Sequence, residues 1–271
     1  MQITFLGTGP MEPIPRQGHN DLICQDAKKF KSKSKRTRSS ALLNYQDFNI
    51  LIDASPDFLI QIKQNKIKKV DAVLITHPHF DAYGGIKQLN DWLKSPIPFY
   101  CQKRTWQVIN KRFKKLPNLK FKAIKPFNHF QPKADQPLAE TINNFAILPL
   151  PVQHSVINEQ KFPTLAFKIK NLLYCSDVKK IPAKSLKHFK NIQNLILDAA
   201  MYFNKQIFSH LNTSDAILLA HKLKAKNLYL TQIGHSYPPY SAAQKEVQKF
   251  ASQNKIETKV NLAFDGLKIK L

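Results

Sequence analysis

The chain has 271 residues, 43% of them hydrophobic, and a formal net charge of +24 from 42 Lys+Arg against 18 Asp+Glu. That length suits one large domain or two small ones, and the apolar content excludes disorder as the overall state. No apolar run approaches the ~20 residues of a membrane-spanning helix. A cationic excess of this size attracts phosphate esters or nucleic acid, or is simply solvated, and decides nothing about fold.

The first segment, Met1-Gln2-Ile3-Thr4-Phe5-Leu6-Gly7, reads as a strand and lacks a basic leader, so a cytoplasmic protein without a membrane partner is expected. Cys24, Cys101 and Cys175 are few, odd in number and far apart, which argues against a disulfide framework. The densest basic run is Lys28 to Arg38, with seven cations and no acid. Further along, 41–44 and 50–53 are predicted strands, 58–64 a helix, 70–76 a strand and 85–93 a helix with Ile86, Leu89, Trp92 and Leu93 on one face. Then come a strand at 99–101, a helix at 105–113 and a strand at 119–124. Residues 128–144 are predicted to form a long surface loop.

The second half repeats the pattern. Strands are predicted at 145–152, 165–169, 172–175 and 195–198. A helix follows at 214–223, N-capped by Thr213 or Ser214. After a strand at 227–231 and a helix at 242–251, the segments 260–264 and 267–271 are predicted to pair as a hairpin across Asp265-Gly266. No linker divides the chain, so 1–271 is expected to be a single domain. The expected fold class is α/β, with two mixed sheets face to face and helices outside.

The most informative stretch is His77-Pro78-His79-Phe80-Asp81, between a buried strand and the break at Gly84-Gly85. Two imidazoles and a carboxylate within five residues can converge on one divalent cation, and open α/β sheets collect such groups at strand ends. His154, Asp177, His210 and His235 also stand at strand ends or just before a helix, which points to one shared cleft.

These residues resemble the metallo-β-lactamase superfamily and, within it, the phosphoribosyl 1,2-cyclic phosphate phosphodiesterase family. The motifs are Phe5-Leu6-Gly7-Thr8-Gly9, Arg38-Ser39-Ser40-Ala41, Ile52-Asp53-Ala54-Ser55-Pro56-Asp57, Ser209-His210-Leu211-Asn212, Thr231-Gln232-Ile233-Gly234-His235 and Ala263-Phe264-Asp265-Gly266. The resemblance covers nearly the whole chain and implies an αββα sandwich with a metal centre on its rim. It implies His77, His79 and His154 as ligands of a first metal, Asp177 as a bridging carboxylate and Asp81 as a ligand of a second metal. It implies His210 as the general acid/base, counts Asp81 with it among the catalytic residues, and suggests a homodimer.

The sequence departs from that pattern at Ala82 and Gln232, where the family has its remaining second-metal histidines. One well-held divalent cation, zinc or manganese, is therefore expected. The resemblance also implies a structural zinc near the N-terminus, with His19, Asp21, Cys24 and His235 at its ligand positions. Two family cysteines are replaced there by His and Asp. The implied activity is hydrolysis of phosphodiesters, on cyclic or small phosphate esters. The alternatives are a ribonuclease of the same fold, a non-hydrolytic relative similar to the pyrroloquinoline quinone synthesis protein B branch, and a nucleic-acid-binding protein on an inactive scaffold.

Overall fold

The computed structural model describes residues 1–132, 145–154, 156–157, 160–161 and 163–271. Most of the predicted loop at 128–144 lies outside the described residues. The elements in chain order are β1 (Gln2–Gly7), α1 (Leu22–Ala27), β2 (Ser40–Tyr45), β3 (Phe48–Ile52), α2 (Phe58–Gln64), β4 (Ala72–Leu74), α3 (Phe80–Tyr83), α4 (Ile86–Trp92), β5 (Ile97–Cys101), α5 (Lys103–Arg112) and β6 (Leu119–Ala123). They continue with β7 (Ile147–Val152), β8 (Val156–Ile157), β9 (Gln160–Lys161), β10 (Thr164–Ile169), β11 (Leu172–Cys175), α6 (Ala183–Leu186), β12 (Asn194–Asp198), α7 (Thr213–Lys222), β13 (Asn227–Thr231), α8 (Tyr240–Gln253), β14 (Lys259–Leu262) and β15 (Lys268–Lys270).

The strands form two mixed sheets, ordered β15-β1-β2-β3-β4-β5-β6 and β14-β13-β12-β11-β10-β7. Three apolar clusters explain the layering. The middle one joins Ile3, Phe5, Leu43 and Ile52 of the first sheet to Phe167, Tyr174 and Ile196 of the second. The other two cover the outer faces: α2 and α4 supply Phe58, Ile62, Ile86 and Leu89 to one, and α7 and α8 supply Ala216, Ile217, Ala243 and Val247 to the other. The result is the expected αββα sandwich. β12 lies inside its sheet and is buried along its whole length, which suits the uninterrupted run Leu195-Ile196-Leu197. β6 is an edge, and its exposed Lys120 and Lys122 discourage pairing with another strand.

Two local expectations need correction. The segments flanking Asp265-Gly266 do not form a hairpin. β14 pairs parallel with β13 in the second sheet, and β15 pairs antiparallel with β1 in the first. The Asp-Gly pair is a crossover between layers. Asp265 accepts from Thr8 Oγ1 at 2.8 Å and from the Thr37 amide and hydroxyl at 2.7 and 2.8 Å, so its carboxylate fixes a corner instead of closing a two-residue turn. The N-cap of α7 is Asn212, whose side chain accepts from the Asp215 amide at 2.8 Å. Thr213 is the first helical residue, and its hydroxyl bonds Met201 O and Tyr237 Oη.

Candidate metal centre and active site

Sheet topology brings one end of both sheets together, and the polar strand-end residues meet there. His77 follows β4, His154 follows β7, Asp177 follows β11, and Asp198 closes β12. The rings of His77, His79 and His154 form a compact triangle with centroid separations of 4.7, 5.2 and 5.0 Å. One nitrogen from each lies within 4.8 Å of the other two.

Hydrogen bonds on the far side of each ring set its orientation. His154 Nδ1 donates to Ser209 O at 2.8 Å, which leaves its Nε2 facing His79 Nδ1 at 3.2 Å. His77 Nδ1 meets Thr76 Oγ1 at 2.8 Å, and that hydroxyl lies 2.8 Å from Asp53 Oδ2. When Thr76 donates to Asp53 and accepts from His77 Nδ1–H, a lone pair remains on His77 Nε2. That nitrogen is buried and has no hydrogen-bond partner among the described residues. Two ligands of a tetrahedral ion with ~2.0–2.1 Å bonds sit roughly 3.3 Å apart, close to the spacing observed. The residues therefore fit a cation. Burial holds His77 well below its ordinary value, pushes His79 down to about 4 and lowers His154. All three are neutral at neutral pH, the state a ligand requires.

Asp177 Oδ1 stands 3.9 Å from His77 Nε2 and 4.0 Å from His154 Nε2, so it can complete the set. Burial opposes its ionisation, but the imidazoles around it outweigh burial and hold the carboxyl below the usual carboxylate range. The same oxygen accepts from Gln232 Nε2 at 2.7 Å. The reverse amide orientation would put two oxygens at that distance, so the donor faces Asp177. Gln232 thus places an N–H on the carboxylate at the position where the family pattern has a histidine. Asp81 is buried and, among the described residues, joins no group of three side chains within ligand reach and has no hydrogen-bond partner on Oδ1. Burial, then the Asp177 carboxylate, push it up to about 7.

His210 lies against His154, with ring centroids 4.5 Å apart. Its Nδ1 is 2.7 Å from Asp198 Oδ2. Burial alone would lower this imidazole, but Asp198 outweighs burial and pushes it up to about 9. Sequence reasoning missed Asp198, although it carries the strand-end signal that singled out the others: it closes Leu195-Ile196-Leu197. It also missed how Thr76 and Asp53 position His77. Asp53 stands at the end of β3 with φ 61, a conformation that turns the chain sharply out of the sheet.

His235 does not face this cleft, contrary to its placement among the cleft residues by strand-end pattern. Its Nδ1 is 3.2 Å from Asp21 Oδ2 and 3.4 Å from Cys24 Sγ. His19 Nδ1 is 3.6 Å from the same Asp21 oxygen. Helix α1 stands beside this group, where the sequence offers no helical periodicity long enough to predict it. Asp21 is its N-cap, accepting the Cys24 amide through Oδ1 at 2.8 Å, which leaves Oδ2 for His19 and His235. His19, Asp21 and His235 form a second group within ligand reach, and Cys24 touches it through His235. Burial raises the Cys24 thiol, so a cation binding there would have to displace its proton.

The basic run is less uniform than its sequence suggests. Arg36 is 1% exposed and donates to Thr8 Oγ1 and Ala263 O. Arg38 pairs with Asp57 at 3.0 Å. Two of its cations are thus held internally. Among the described residues, no helix is long and apolar enough to cross a membrane.

Residues 48–233 match the model of the beta-lactamase superfamily domain, and the chain belongs to that family. A curated relative, the octanoyltransferase of Porphyromonas gingivalis (strain ATCC BAA-308 / W83), is 28% identical over 250 residues, 88% of this chain and 47% of the relative. The chain thus spans about half that relative's length. Among solved structures, a diphosphatase of the PhnP family superposes with a TM-score of 0.82 at 24% identity, covering 100% of this chain and 97% of the other. Zinc-bound PqqB of Methylobacterium extorquens gives 0.79 at 15% identity with 100% of both chains covered. The short form of human tRNase Z gives 0.66 at 18% identity, covering 100% and 99%. These structural likenesses bear out the metallo-β-lactamase fold.

Proposed function

We propose that the chain, acting as one unit over 1–271, is a metal-dependent hydrolase of phosphodiesters whose substrates are cyclic or small phosphate esters. The observation that carries this reading is the His210–Asp198 pair set against a three-histidine cluster whose His77 Nε2 has no hydrogen-bond partner among the described residues. His77, His79, His154 and Asp177 would hold one divalent cation, which when bound lowers the pKa of a coordinated water and offsets phosphate charge. Asp198 orients His210 and keeps it protonated, so its Nε2–H is available to a departing oxygen. Asp81, a buried carboxylate whose proton affinity burial and Asp177 raise, can accept a proton from the attacking water. Gln232 caps Asp177, and Ala82 offers no donor, which favours one cation over two.

A second reading, hydrolysis of an acyl ester or thioester, draws support from the curated relative's name. Purified protein loaded with zinc or manganese should hydrolyse bis(p-nitrophenyl) phosphate, and His77→Ala should lower the rate by at least about 100-fold, beyond what loss of an outer-shell partner costs. Cleavage of an octanoyl thioester with no phosphodiester turnover would transfer the assignment to the second reading.

His19, Asp21, Cys24 and His235 are proposed to hold a structural zinc joining the N-terminal segment to the loop after β13. Saturating zinc at ~100 times its dissociation constant would add about 2.7 kcal/mol, or roughly 5 °C in melting temperature. Cys24→Ala should remove most of that zinc-dependent rise and leave the cleft cation in place, as read by calorimetry and elemental analysis. An undiminished rise in the variant would eliminate this site.

A further inference from the structure

We infer that the substrate carries an apolar group beside its anionic centre, and that Phe208, with Ile207, receives that group at the rim of the cleft. This rests on the anionic-ester reading above. The ring of His154 lies between two neighbours, with centroids 5.0 Å from His79 and 4.5 Å from His210. Phe208 stands two residues before His210 and next to Ser209, whose carbonyl holds His154. It is 75% exposed, and Ile207 beside it is 39% exposed.

An exposed phenylalanine on a loose tip would carry little meaning. Here the backbone is fixed on both sides. Lys179 Nζ donates to Ile207 O at 2.8 Å, and the Ser209 carbonyl accepts from His154 Nδ1 at 2.8 Å. The backbone on either side of Phe208 is therefore anchored, on one side by the bond that orients a cleft histidine. Nor is Phe208 needed to pack its own loop: Phe203 does that, with centroids 4.7 Å from Tyr202 and 5.4 Å from Phe250. Next to His79 in the chain, Phe80 is 36% exposed and lies under the Arg112 guanidinium at 4.5 Å. Each exposed apolar face thus has a cation beside it, Lys179 at the Ile207-Phe208 segment and Arg112 over Phe80. That pattern suits a ligand with a negative centre and an apolar arm, and suits a bare sugar phosphate poorly.

Fully burying one methylene is worth about fourfold in affinity. A rim contact that covers one side should give roughly half of that on a logarithmic scale, or about twofold per methylene. The test is titration calorimetry of the metal-loaded protein with methyl phosphate and hexyl phosphate, alongside kcat/KM for the matching alkyl p-nitrophenyl phosphodiesters. Hexyl phosphate should bind about tenfold or more tightly than methyl phosphate. Phe208→Ser should bring that ratio close to one, whereas Phe30→Ser, which removes an 89%-exposed ring from the turn before β2, should leave it intact. Equal affinities, or a preference that survives Phe208→Ser, would overturn the inference. Absence of turnover with the binding ratio preserved would count against the phosphodiesterase reading alone. Failure of both phosphates to bind would overturn the two together.

Discussion

His210→Ala should lower turnover of a phosphodiester with a poor leaving group by roughly 10²–10⁴-fold, the range for a lost general acid or base, without changing metal content. The geometry separates the two possible roles of this residue. A ligand histidine must be neutral, as His154 is with its Nδ1 on a backbone carbonyl, but His210 sets Nδ1 on the Asp198 carboxylate at 2.7 Å, which favours the imidazolium. Its folded value is pushed up to about 9, so the proton is in place throughout the neutral range and is lost as the pH rises through about 9. The wild-type rate on a poor leaving group should fall along that alkaline limb, and the limb should be missing in His210→Ala. Asp198→Asn removes the carboxylate that raises His210, so the limb should move toward neutral pH. A p-nitrophenolate leaving group needs little protonation and should show a smaller loss. Equal losses for good and poor leaving groups would remove the acid role, and loss of metal would make His210 a ligand.

The legible parts of the sequence were those whose signal is local. Residues 58–64 are a helix at the predicted limits, and strands such as 172–175 and 227–231 coincide with their apolar runs. The αββα layering was legible because every buried strand alternated with helical or turn segments, and because the resemblance covered nearly the whole chain. Less legible was anything decided by a partner far away in sequence. Asp265-Gly266 has the composition of a hairpin turn, but pairing of β15 with β1 and the bonds from Asp265 to Thr8 and Thr37 override it. His235 has a strand-end position like the cleft residues, yet its ring meets Asp21 and Cys24, more than 200 residues earlier. Asp198 was passed over because a lone acid after an apolar strand has no motif of its own. Its role exists only through His210, twelve residues later and across a loop.

Restoring both missing imidazoles, by Ala82→His with Gln232→His, should raise the cleft from one cation per chain toward two and increase phosphodiester turnover by about 10²-fold, from the several kcal/mol of charge stabilisation that a metal ion can supply. The reason lies in what Gln232 does now. Its amide N–H donates to Asp177 Oδ1 at 2.7 Å and satisfies a lone pair that a second cation would otherwise share. Gln232 also has φ 62, a region in which histidine is among the better-tolerated residues, so the backbone at 232 accepts the exchange. Ala82 is buried, and its amide bonds His79 O at 3.0 Å, so a ring there must find room beside the cleft. Either single change should do less than the pair, because each leaves Asp81 with one imidazole partner and ligands of one ion act as a unit. Gln232→His alone should still separate two effects: it frees Asp177 from the amide, and any change in affinity for the first cation reports that bond. A double variant that binds two cations yet turns over no faster would mean that a single cation, with His210 and Asp81, already supplies what the reaction needs.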